Sequence, residues 1–224
     1  MFDFLDLEEY DLFGAFWMTV QLTVVSGIGS LILGTILAAM RVSPVPVMRA
    51  FGTFYVHIVR NIPLTIVIAG CSQVLAIELR VTLGADIATD SLNFRMAVLG
   101  LVAYTSTFVC EAIRSGINTV PVGQAEAARA LGLSFRQVLI LVVLPQAFRS
   151  VIGPLTNVLI ALTKNTTVAA AIGVAEAAYL MAEMIETEAQ LIPIAILFAC
   201  GFIILTLPTG LLLGRLAKRL AVKR

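Results

Sequence analysis

Residues 12–40, LFGAFWMTVQLTVVSGIGSLILGTILAAM, run for 29 positions without a charged side chain. A helix crossing the hydrocarbon core of a bilayer needs about 20 apolar residues. A second run, 189–214, is 26 residues long, and a third, 61–77, is 17. Two shorter pairs of gaps flank single charges: 96–110 reaches span length by running past Glu111, and 150–163 by absorbing Lys164. These gaps predict five helices, roughly 12–40, 58–79, 95–116, 147–169 and 189–214. The fold class is all-α, a polytopic membrane helical bundle. Composition agrees: 59% of the 224 residues are apolar and 13% charged, against about 25% charged in soluble domains. That excludes an ordinary soluble enzyme, a disordered chain and a nucleic-acid binder.

Charge placement sets the orientation. Asp3, Asp6, Glu8, Glu9 and Asp11 precede the first run, which is too long and too acidic at its start for a cleaved signal peptide. With the N-terminus outside and the C-terminus cytoplasmic, the inner zones 41–57, 115–146 and 215–224 and the helix ends beside them hold 11 of the 15 basic residues. Only Arg80 and Arg95 fall outside, with Arg60 and Lys164 within or beside spans. Every loop obeys the positive-inside rule. Cys71, Cys110 and Cys200 lie in apolar runs and read as small buried hydrophobes. The single histidine, His57, has no partner at ligand spacing and argues against a metal site. Ser26, Ser30, Gly34 and Ala38 form a stripe of small residues, either packed inside one bundle or forming a dimer seam.

The cytoplasmic loop 117–146 is patterned: Pro121 to Pro145 read PVGQAEAARALGLSFRQVLILVVLP. Gln124 to Leu131 is good helix sequence. Gly132 suits the left-handed position beyond a helix end, Ser134 with Gln137 makes a capping box, and Pro145 is expected to stop the second helix. An Ala-rich helix tethered to spans at both ends either docks in a partner's groove or rests on the headgroups.

Glu126-Ala127-Ala128, three residues, Gly132, nine residues and Val142-x-Leu144-Pro145 resemble the EAA motif of bacterial ABC importer permeases, with Val142 in place of Ile. Arg60-Asn61-Ile62-Pro63-Leu64 is similar to the R-G-T-P-L segment of the polar amino-acid permeases. Asn157, Lys164, Thr166, Ile172 and Gly173 match a further segment of that group, where Thr167 and Val168 replace Ser and Leu. The likeness covers nearly the whole chain and is strongest to glutamate permease subunits of corynebacterial type. It implies the type I importer permease fold as a single transmembrane permease domain over 1–224. It also implies ATPase coupling through Glu126, Ala127, Ala128, Gly132, Leu144 and Pro145.

The implied partners are an ATP-binding cassette ATPase subunit, a second permease subunit (a paralogue rather than an identical chain), an external solute-binding protein and the lipid membrane of a bacterial cell. The chain has no phosphate-binding Gly-rich motif, so no cofactor and no enzymatic role are expected of it; ATP and Mg²⁺ belong to the ATPase subunit.

The residues themselves point to a route. On a helical wheel Gly153, Thr156, Asn157, Thr163, Lys164 and Thr167 share an arc of about 120°. Either this face lines the substrate path, with Lys164 attracting a carboxylate, or Lys164 snorkels to the outer headgroups. Arg60 is a substrate-path residue if its helix starts near Phe51, and an inner-interface anchor if the helix starts at Asn61. Glu111 is expected to pair with Arg114 at i, i+3. The acidic segment 173–188, carrying Glu176, Glu183, Glu186 and Glu188, is either a docking surface for the solute-binding protein or a solvated loop. The competing functions are a self-sufficient secondary transporter or channel and a membrane-embedded enzyme. Five spans with no internal repeat disfavour the first, and no paired carboxylates at depth are available for the second.

Overall fold

A computed structural model describes residues 10–84 and 90–220. Every regular element among them is helical. The acidic start 1–9 and the basic tail 221–224 lie outside the described residues.

Helix α1, Leu12–Val42, opens on an Asp11 cap whose carboxylate accepts the Gly14 N–H at 2.8 Å. Helix α4, Asp90–Asn118, is central: Met96, Ala97, Leu101, Val109 and Cys110 are fully buried on it, and α1, α7 (Leu144–Asn165) and α3 (Leu64–Gly70) pack around it. The small-residue stripe of α1 serves this contact. Ser26, Ser30, Gly34 and Ala38 are all buried, and a Cβ on Gly34 would come within 2.5 Å of Val109 Cβ and 2.8 Å of the Ser106 carbonyl. The stripe is an intra-bundle seam, which lets two backbones approach in an environment without a hydrophobic drive between helices.

Four helices are long and apolar enough to cross a membrane, and a fifth crossing exists if one bent pair counts as a span. That pair corrects the expected helix 58–79. Residues 46–61 form a separate helix, α2 (Pro46–Asn61), and α3 (Leu64–Gly70) starts afresh beyond Pro63 at an angle of 106°. Proline disfavours helical backbone at the residue before it, here Ile62 at ψ 135°, so the chain must turn there. α3 continues as a π-helical stretch, Cys71–Glu78.

A second correction concerns Pro145, which does not stop the helix. After α5 (Val122–Ala130) and the short α6 (Phe135–Val138), residues Leu139–Val143 widen into a π turn, in which the Leu144 N–H reaches back five residues to the Leu139 carbonyl. Pro145 then falls directly after this π turn, inside the helix that continues as α7 (Leu144–Asn165), and the widened turn accommodates its missing N–H. The result is one continuous 37-residue helix, Arg136–Ile172, whose last part, Thr166–Ile172, tightens to 3₁₀ geometry.

The expected acidic loop 173–188 is largely helix α8, Ala177–Glu188, capped by Glu176. Glu176 is fully buried, so it leaves the exposed acidic group. Helix α9, Leu191–Leu220, completes the bundle beside α7 and α8. Cys71 and Cys110 are buried as expected, but Cys200 is exposed on α9.

Candidate functional site

Two features of the sequence reading take shape at opposite ends of α7. At its start, α5 is held as a discrete unit. Gly132 adopts φ +86°, and the Leu133 N–H to Ala128 carbonyl (3.2 Å) and Gly132 N–H to Arg129 carbonyl (2.9 Å) bonds close the helix end. Ser134 and Gln137 form the expected box: the Ser134 N–H donates to Gln137 Oε1 at 2.8 Å and the Gln137 N–H to Ser134 Oγ at 3.4 Å. Glu126 and Ala127 face outward, while Ala128 is buried against the chain itself. Val122 and Leu131, at the two ends of α5, are 72% and 85% exposed. Gln146, which sequence reasoning passed over, ties α5 to α7: its Nε2 donates to Gln124 Oε1 at 2.6 Å and to the Val142 carbonyl at 2.9 Å.

Further along, α4 and α7 enclose a cavity of about 240 Å³ lined by Tyr104, Thr105, Phe108, Asn157, Val158, Ala161 and Asn165. Of the expected path residues Asn157 lines it. Lys164 stands exposed at the end of α7, and Thr167 follows in the 3₁₀ segment, its hydroxyl donated to the Lys164 carbonyl. Thr163 is not brought to this side. It lines a larger groove of about 330 Å³ between α1, α7 and α9. The hydroxyls there are already used: Thr23 donates to the Thr19 carbonyl, Thr163 to Leu159 and Thr209 to Leu205. An apolar groove with no free donor suits lipid or a helix, not a polar solute.

The α4–α7 cavity differs in one respect. Thr105 is 2% exposed and its Oγ1 has no hydrogen-bond partner. A buried hydroxyl left unpaired costs about 1–3 kcal/mol; Thr105 lines the cavity beside two carboxamides, although its Oγ1 is itself closed to solvent in this conformation. Sequence reasoning missed it because a threonine in an apolar run carries no pattern.

Arg60 ends α2, with its guanidinium 5.9 Å over the Phe108 ring. A small polar pocket beside it is lined by Val56, His57, Arg60, Asn61 and Glu111. Neither expected helix start applies: α2 begins at Pro46 and carries Arg60 near its end, ahead of the break at Pro63. Glu111 pairs with Arg114 at 3.2 Å as expected, and also with Arg41 of α1 at 2.5 Å. No cluster of metal-ligating side chains occurs among the described residues.

Residues 30–222 match the family described as binding-protein-dependent transport system inner membrane component. The chain belongs to this family. Among permeases of known designation, it is 57% identical to the glutamate transport system permease protein GluC of Corynebacterium efficiens, over 95% of both chains. It is 28% identical to the glutamate/aspartate import permease protein GltJ of Escherichia coli K12, over 80% of this chain and 74% of that one. Its fold matches a crystal structure of an amino acid ABC transporter with histidines, with a TM-score of 0.84 and 26% identity over 97% and 98% of the two chains. The inward-facing MetNI methionine transporter shares the fold at a TM-score of 0.73 and 21% identity, over 92% and 94%. This permease is therefore a multi-pass inner-membrane component of an ABC importer, and the helical bundle is the type I permease fold.

Proposed function

We propose that this permease moves glutamate, or a closely similar acidic amino acid, inward through the α4–α7 cavity, with α5 receiving the drive from an ATPase subunit. The carrying observation is a cavity between α4 and α7 lined by Asn157, Asn165 and Thr105, whose buried hydroxyl has no partner in the bundle. Lys164, at the end of the same helix that carries Asn157, supplies the positive field for a carboxylate. At about 240 Å³ the cavity is smaller than the ~300–1,000 Å³ of drug-sized sites, the scale of a small metabolite.

The coupling follows from rigidity. α5 is clamped to the start of α7 by Gln124–Gln146, and α7 runs on past the cavity as one helix with Pro154 inside it. A displacement of α5, gripped through Glu126 and Ala127 with Val122 and Leu131 as apolar ends, is carried along α7 and changes the spacing of α7 from α4. That is alternating access by rocking of packed helices. ATP and Mg²⁺ are assigned to the ATPase subunit. The remaining partners in this proposal are a paralogous permease and an external solute-binding protein, with α5 on the cytoplasmic side.

The test is reconstitution of the full transporter with the solute-binding protein, scoring labelled-glutamate uptake and ATP hydrolysis. Thr105→Val removes the free hydroxyl at equal volume. It is expected to leave the fold as stable or stabler, while uptake falls about tenfold. Lys164→Ala is expected to lower glutamate uptake more than glutamine uptake. Wild-type uptake in both variants overturns this assignment of the route.

A further inference from the structure

α2 is the element that transport through the α4–α7 cavity leaves without a task. It holds no acidic residue, but carries Arg49, His57 and Arg60. Its contacts run from the end of α1 toward the middle of α4: Gly52 meets Met40 and Arg41, Val56 packs with Leu37, Ala38 and Cys110, and Arg60 lies over Phe108. The start of α2 is thus beside the end of α1, in the half of the bundle that leads to α5. Since α2 turns by 106° from α3, it runs across the direction of that span.

At 100° per residue α2 divides into three sectors. Val47, Phe51, Phe54 and Ile58 fall within about 60°, and they are 77%, 56%, 66% and 43% exposed. Arg49 and Arg60, also exposed, lie about 160° from the centre of that arc. Between the two sectors come the residues turned to the bundle, Tyr55, Val59, Gly52 and Val56, with the Tyr55 hydroxyl donating to the Ala103 carbonyl at 3.1 Å. One edge held by protein, one apolar and one cationic is what a helix needs to lie in a bilayer interface against a bundle.

We infer that α2 is an interfacial helix that binds anionic phospholipid at the α5 end of the bundle. The apolar arc seats in the acyl boundary and Arg49, on the opposite edge, turns to headgroup phosphates, whereas Arg60 lies over Phe108. Charge complementarity selects the occupant: a cationic helix without a carboxylate, in an inner-membrane protein, meets anionic lipid more favourably than zwitterionic lipid.

The test uses the full chain with its single tryptophan removed, Trp17→Phe, and a reporter introduced by Phe54→Trp. It is reconstituted in mixed phosphatidylcholine–phosphatidylglycerol vesicles. Lipids brominated near the glycerol end should quench the reporter at least twice as strongly as lipids brominated near the chain methyls. Moving the bromine from phosphatidylcholine to phosphatidylglycerol should increase quenching, and Arg49→Gln should reduce that preference about fivefold. Phe51→Trp, on the same exposed arc, must report the same depth. A reporter quenched by neither lipid means that protein, such as a second copy of this chain, covers the arc, and overturns the proposal. Equal quenching by both bromine depths, or a lipid preference untouched by Arg49→Gln, overturns it too.

Discussion

Glu111 holds two arginines, and the structure makes them unequal. Arg41, from the end of α1, has a side chain 7% exposed, and Glu111 is 26% exposed. Arg114 is 40% exposed and sits one turn along the same helix. Breaking a fully buried pair by removing one partner costs about 3–5 kcal/mol, because the other charge stays behind unpaired. Water reaches a quarter of Glu111, so Glu111→Ala is expected to cost about 2–3 kcal/mol, below that range. The Arg114 contact is an exposed i, i+3 pair, worth about 0.3–0.5 kcal/mol. A double-mutant cycle with alanine at positions 41, 111 and 114 separates the two. Helical circular dichroism during thermal unfolding in detergent reads them out. For a chain of this size about 1 kcal/mol moves the midpoint by ~2–4 °C, so Glu111→Ala should melt about 4–12 °C lower, with Arg41→Ala close to it and Arg114→Ala within a degree or two of wild type. The reasoning is refuted if the coupling of Glu111 to Arg114 equals or exceeds its coupling to Arg41.

Two further outcomes test the packing and the α8 cap. Gly34→Ala places a methyl 2.5 Å from Val109 Cβ and 2.8 Å from a backbone oxygen that cannot rotate away, whereas a Cβ on Gly153 meets nothing within 4 Å. The first should destabilise by about 1–3 kcal/mol and the second should stabilise by up to about 1 kcal/mol through helix propensity; the order of the two melting points is the check. Glu176 lies between the last two spans, and burial pushes its carboxyl above the usual range, against the Ala178 and Tyr179 N–H groups and the Thr19 hydroxyl that favour the anion. A raised folded pKa means that the folded state keeps the proton longer. Its stabilising contribution is full below the usual carboxylate value of about 4.3 and is lost as pH rises through the raised value. The wild-type midpoint should therefore fall over that window relative to Glu176→Gln.

The spans were legible because charges are scarce: the gaps between them mark four long helices to within a few residues at most ends. The α5–α6 segment was legible because its instructions are local, with Gly132 for the turn and Ser134 with Gln137 for the restart. Three features were not. Val47, Phe51, Phe54 and Ile58 carry a helical period, but a segment with Arg41, Arg49 and Pro44 reads as a loop when only charge gaps are counted. Pro145 reads as a stop because the π turn that accommodates it has no residue signature. Arg41 as the partner of Glu111 is a contact across 70 positions, and helix spacing alone offers only Arg114.

The polar residues of the spans teach a more general distinction. A stripe of threonines on a membrane helix invites reading as a hydrophilic path, yet the hydroxyls of Thr156, Thr163, Thr166, Thr167, Thr206 and Thr209 all donate to carbonyls three or four residues back. Such a hydroxyl offers a passing solute its lone pairs but no proton, and in hydrocarbon it has little reason to break its bond. Among the described residues, the fully buried hydroxyls without a partner are Ser26, Ser30 and Thr105. Ser26 and Ser30 belong to the small-residue seam of α1, where their size is what the contact requires. Thr105 alone of the three lines a cavity. Residue type thus identifies where polar atoms are, whereas the hydrogen-bond ledger of each helix identifies which of them is available to a substrate. On that criterion the weight of the route moves from Thr163 to Thr105, and transport by Thr105→Val becomes the measurement on which the α4–α7 assignment stands or falls.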